Sequence, residues 1–182
     1  METPLFLGFL AIHIVSLIVG MGAVIVIDVF GLLWIFKKVE LVFVAKVANT
    51  TQKLIWIGWV GLVLSGVGLI FIKGYVDNLT FIKLFFVALV GFNGVLLHFV
   101  KKSIESVVGE DVPTKLKFNI AFTSTISQIG WWGAITIGFL HRHWKHYIDW
   151  PQNPEVYIGT IIMVIIIVSL IGKMVFNRKQ DN

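Results

Sequence analysis

The sequence predicts an all-α, polytopic membrane protein: five transmembrane helices, with the N-terminus outside and the C-terminus in the cytoplasm. Three observations carry that prediction. Hydrophobic residues make up 57% of the 182 residues, against about 45–50% apolar in an ordinary soluble domain. Apolar runs of roughly 20 residues recur without strict alternation, which suits membrane helices and not the strands of a closed barrel. Lys and Arg gather in alternate connections between those runs, the pattern that sets membrane orientation. The length suits one domain, so residues 1–182 read as a single transmembrane bundle. The opening METPLF has no basic region before its apolar run, and no small-residue cleavage motif follows, so the first span is expected to be retained.

The expected spans are about 5–36, 54–72, 79–100, 119–140 and 156–176. Eleven of the Lys and Arg residues fall on one side: Lys37, Lys38, Lys46 and Lys53, then Lys101, Lys102, Lys115 and Lys117, then Lys173, Arg178 and Lys179. Four fall on the other: Lys73, Lys83, Arg142 and Lys145. The richer side is expected to be cytoplasmic, and an odd number of spans then places the two termini on opposite sides. The formal charge of +5 therefore reads as membrane topology and not as a nucleic-acid footprint.

The first span would be about 48 Å long as a continuous helix, more than a hydrocarbon core of roughly 30 Å, so it must tilt or project. Its cytoplasmic extension is expected to continue through the amphipathic 37–53 segment. The second span carries Gly58, Gly61, Ser65 and Gly68 at steps of three and four, a small-residue stripe that permits close helix packing. The brief Gly74–Leu79 connection makes spans two and three an antiparallel hairpin. In the fourth span Ser124, Ser127, Trp131, Ala134, Gly138 and His141 share one side. The fifth has no ionisable residue at its centre and offers packing or a lipid-facing surface.

Chemistry can reside in a handful of ionisable residues, because such groups are costly at membrane depth and generally face protein, a cavity or a cofactor. His13, Lys83 and His141 occupy an outer layer, and Asp28 and His98 an inner one. His13 to Asp28 and Lys83 to His98 are the same distance along their helices, about 22 Å of rise and about 60° of azimuth. Two donors on different helices facing a cavity lined by small residues is how bundles hold haem. Ser16, Gly20 and Gly22 near His13 would leave room for a macrocycle. On this reading His13 is one axial ligand to the iron, with His141 or Lys83 opposite. The plainer alternative for His13 is an interhelical hydrogen bond to a serine or a backbone carbonyl. For Lys83 it is snorkelling to the outer interface, and for His141 a place in the interfacial loop. Asp28 and His98 form either a proton-relay pair or a structural ion pair. His141, His143 and His146 also suit copper or zinc outside the membrane, with Asp149 or Glu155 to complete the set. The lack of cysteine excludes thiolate metal sites, cysteine-ligated iron–sulfur clusters and a C-x-x-C-H haem attachment.

The third span, FIKLFFVALVGFNGVLLHFVKK, has a Lys at its outer start, an N-G pair and a late L-x-H. With His13, the GMG that follows it and the WWG of the fourth span, it resembles small bacterial membrane proteins of the CopD/HemJ-like superfamily over roughly the first four spans. That group includes copper-resistance proteins, haem-b-binding protoporphyrinogen oxidases and many uncharacterised chains. The resemblance implies that His13 and Lys83 hold haem b in a bacterial inner-membrane protein, multi-pass, acting in electron transfer or as a haem-dependent oxidoreductase. Where HemJ proteins carry a basic, histidine-bearing segment, this chain has VIVIDVFGLLWIF. The expected partners are the lipid bilayer, a quinone or a separate redox protein, and further copies of the chain. The competing functions are a proton or metal-ion transporter or channel, with Asp28, His98, Asn93, Gln128 and Asn119 along its path, and a non-catalytic membrane subunit.

Overall fold

Long apolar stretches with few breakers form long helices, and the few capping residues decide where these start and stop. The computed structural model describes residues 3–107, 112–143 and 152–178. Its helices are α1 (Pro4–Ile35), α2 (Leu41–Lys73), α3 (Asn78–Glu105), α4 (Thr114–His143) and α5 (Pro154–Arg178). No strand occurs among the described residues. By length and composition α1, α2, α3 and α5 can each cross a membrane. α4 is long enough, but its first half bears Lys115, Lys117, Asn119, Thr123, Ser124, Thr125, Ser127 and Gln128. Four of the five expected spans therefore have the composition of a membrane crossing.

The helix starts follow capping chemistry. Thr3 Oγ1 accepts from the Phe6 N–H at 3.3 Å, and Pro4 takes the first helical position of α1, where its missing N–H costs nothing. Asp77 Oδ1 accepts from the Thr80 backbone N–H at 2.9 Å and the Thr80 hydroxyl at 2.6 Å, opening α3. α2 ends at Gly74, whose φ of 77° is a left-handed conformation that glycine adopts without a Cβ penalty.

The first helix does not continue through 37–53. It closes at Phe36, and Lys37 takes the left-handed conformation at φ 56°. The Lys38 N–H bonds the Leu33 carbonyl at 2.8 Å, and the Lys37 N–H bonds the Trp34 carbonyl at 2.8 Å. These two bonds are the Schellman pair that satisfies the last carbonyls of a helix. Residues from Leu41 onward then belong to α2, which is why the second helix is longer than its apolar core. Phe30 and Phe43 meet edge to face with centroids 5.2 Å apart across the turn.

The chain divides into two compact units, α1 with α2 and the last two residues of α3, and the rest of α3 with α4 and α5. In the first, the small residues of α2 receive α1. A Cβ on Gly58 would come within 2.5 Å of the Gly20 Cα and 2.7 Å of the Ser16 carbonyl. One on Gly61 would collide with the Ser16 hydroxyl, and one on Gly68 would lie 2.5 Å from the Phe9 ring. Backbones this close gain dispersion contacts that lipid cannot supply, the main attraction between helices where no water is expelled. The outer faces remain apolar, with Ile18, Leu64 and Phe71 well exposed, as a lipid environment requires.

In the second unit α4 presents its glycines to α3. A Cβ on Gly130 would meet Val90 at 2.6 Å, and one on Gly133 would meet the Phe86 ring at 2.5 Å. Asn93 Nδ2 donates to the Thr123 carbonyl at 2.8 Å, fixing the same seam. α5 packs Gly172 against Phe118, whose ring stacks on Phe122 with centroids 5.7 Å apart. Most of the large side chains of α5 are exposed.

Three outcomes are expected in detergent unfolding experiments. Gly58→Ala should destabilise by about 1–3 kcal/mol, because backbone atoms of α1 stand where its methyl must go, whereas Gly31→Ala, with open space around it, should be neutral or mildly stabilising. Lys37→Gly should stabilise by up to about 1 kcal/mol, since glycine relieves the left-handed residue.

Candidate functional site

The hairpin of α1 and α2 orients one imidazole. His13 lies on the α2-facing side of α1, half-buried, and its Nδ1 is 2.9 Å from Ser65 Oγ. Ser65 itself is 1% exposed, and its hydroxyl donates to the Gly61 carbonyl at 2.6 Å. A serine hydroxyl has one proton. Committed to a carbonyl, which can only accept, it leaves Oγ to accept from the ring. The geometry therefore suits a ring that donates from Nδ1–H to Ser65 Oγ. A neutral imidazole with this tautomer, held through Nδ1–H, is the form that ligates a metal through Nε2.

The hairpin register produces this pairing. From the Gly20–Gly58 contact, Ser16 faces Gly61 one turn toward the start of α1, and His13 faces Ser65 a further turn along. Gly66 lies beside the ring: a Cβ there would make an ordinary contact 3.6 Å from His13 Cε1. The plain alternative for His13, a hydrogen bond to a serine, is thus what Nδ1 makes, and it is the bond a ligating imidazole needs. Periodicity alone marks Ser65 only as a packing residue. The signal that identifies it is the antiparallel register, which belongs to two helices at once.

In the second unit Lys83 runs over α4, its Nζ 3.6 Å from the position of a Cβ on Gly138. Gly138 and Trp131 lie on the α4 stripe read from the sequence, and Trp131 is 2% exposed. The buried face also includes Thr123, Ile126 and Gly130, one position to the side. Two buried atoms in this seam have no hydrogen-bond partner, Asn93 Oδ1 and Trp131 Nε1. His98 is exposed on α3, its ring edge-on to Phe99 at 6.0 Å. Asp28 is half-buried on α1. His13 and Asp28 thus belong to the first unit, and Lys83 and His98 to the second.

His141 falls within α4, but its side chain lies outside the described residues, as do His146 and Asp149. His143 is exposed, with its ring 4.7 Å from that of Phe139, and Glu155 is exposed at the start of α5. Among the described residues no three His, Cys, Asp or Glu side chains converge on a point fit for a bare metal ion. A haem asks less, because its macrocycle supplies four donors and the protein only the axial ones.

Nitrogen-15 NMR of histidine-labelled protein is expected to show the His13 proton on Nδ1. Ser65→Ala should free the tautomer and lower stability by about 1 kcal/mol. Comparison of the chain with protein-family models, curated proteins and solved structures finds no match to any of them.

Proposed function

We propose that this chain is an integral membrane b-type cytochrome, a five-span bundle with its N-terminus outside, carrying haem b in the outer half and serving electron transfer or a membrane-bound redox reaction. The observation that carries the proposal is the His13–Ser65–Gly61 chain of hydrogen bonds, which orients the ring and suits a tautomer with Nε2 as the donor nitrogen. The likeness of the third span to CopD/HemJ-like proteins supports the same assignment. His13 would be one axial ligand, with Lys83 or His141 as the second. When bound, haem b supplies a one-electron couple whose potential follows axial ligand and burial. Ser65 would orient the ring through its contact with Nδ1. The apolar outer faces keep water from the site, and the bilayer gives a quinone or a separate redox chain access to it. The setting proposed is a bacterial inner membrane.

A second reading, a proton or metal-ion path, draws on the α3–α4 seam, where Asn93 Oδ1 and Trp131 Nε1 are buried without partners. Flux of protons or copper into proteoliposomes that Asn93→Leu abolishes would favour it.

The deciding experiment is an absorbance spectrum of protein expressed with haem supplied, oxidised and then reduced with dithionite. A Soret band that His13→Ala removes is the expected result. Ser65→Ala should keep the band while weakening haem retention about 10–100-fold. Colourless protein containing no haem or iron overturns the proposal.

A further inference from the structure

Beyond the Gly20–Gly58 contact, on the side of the Phe36–Glu40 turn, the first hairpin opens into a groove of about 640 Å³. That volume lies within the range of about 300–1,000 Å³ usual for small-molecule sites. Val19, Gly22, Val26 and Phe30 of α1 and Leu54 of α2 form an apolar wall. From Val19 to Phe30 the groove follows α1 for about 16 Å, the dimension of an extended hydrocarbon chain. At Gly22 nothing lies within 4 Å of where a Cβ would stand, so the floor there is open.

The two ends of the groove differ. At the Val19 end, next to the glycine contact, the lining is wholly apolar. At the Phe30 end it meets Lys46, which is exposed and is the one charged side chain among the lining residues. The Phe30–Phe43 contact fixes this placement, because Lys46 follows Phe43 by about one turn on α2. The same stretch of α2 holds Asn49, Thr50, Thr51, Gln52 and Lys53, a composition suited to headgroup depth and not to hydrocarbon. The groove thus runs from a cationic end at the membrane surface to an apolar end within it.

We propose that this groove binds an anionic glycerophospholipid, with one acyl chain laid along α1 from Phe30 to Val19 and the phosphate on the Lys46 ammonium. The charge at one end and the apolar length behind it match an amphiphile with an anionic head. A quinone, neutral at its head, would fill the wall and leave the lysine unused. This site is on the opposite side of the glycine contact from His13, and its occupancy is independent of haem.

The test is thermal unfolding of the full chain in neutral detergent with phosphatidylglycerol, phosphatidylcholine of the same chains, or decylubiquinone, with native mass spectrometry of the same samples. A ligand that binds the folded state raises Tm with its concentration. Phosphatidylglycerol is expected to raise Tm and remain as a bound adduct, and phosphatidylcholine to do so more weakly. Lys46→Gln, an exposed substitution, should weaken the phosphatidylglycerol response roughly fivefold and erase the preference between the lipids. Gly22→Leu, which fills the open floor, should remove the response to both. Equal responses to the two lipids in the unsubstituted protein overturn the proposal. So does an undiminished adduct in Gly22→Leu, or a shift given by decylubiquinone and not by phosphatidylglycerol.

Discussion

The closeness of two backbones at Gly20 and Gly58 governs the first hairpin. In lipid there is no water to expel between helices, so attraction depends on how many atoms reach contact distance. With no side chain at either position, α1 and α2 approach until their main chains touch. The remaining rungs then follow at helical steps: Ser16 at Gly61, His13 at Ser65, Phe9 at Gly68. Sliding one helix by a residue would drive Cβ atoms into backbone. The partner of the imidazole is therefore chosen two turns away from it, by packing and not by polarity.

The second unit uses the same device with larger partners. Val90, Phe86 and Lys83 lie in turn over Gly130, Gly133 and Gly138, so α4 supplies notches and α3 supplies the side chains that enter them. Polar demand is handled differently in the two units. In the hairpin, His13 and Ser65 satisfy each other and a helix carbonyl. In the α3–α4 seam, Asn93 places its amide nitrogen on Thr123, while its oxygen and the Trp131 indole N–H stay buried and unmatched. Each such atom costs about 1–3 kcal/mol of desolvation. A seam that tolerates two of them is a natural place to look for function besides the histidine.

Much of this was readable from residue order, for reasons that differ element by element. Span positions follow from hydropathy because a bilayer demands length and apolarity together, and the four strongest runs are the helices with that composition. The stripe of Gly58, Gly61, Ser65 and Gly68 is visible because helical periodicity alone puts those residues on one side. The break at Phe36 is not, since 37–53 continues a helical pattern and the left-handed residue there is a lysine where glycine is the usual choice. Pairings across helices are hidden as well: periodicity shows which side a residue takes, but the choice of Ser65 for His13 or Thr123 for Asn93 depends on register. The lower apolarity of α4 was present in its Lys, Asn, Ser and Thr content, yet its buried seam with α3 needed coordinates.

The tight reversal at Phe36–Lys38 has a consequence for biosynthesis. His13 and Ser65 are 52 positions apart, and both precede α3 in the order of translation. The Ser65 contact of the imidazole is thus made by chain that leaves the ribosome early, through closure of one helical hairpin with local topology. The nascent protein can pair His13 with Ser65 before its later helices have been made.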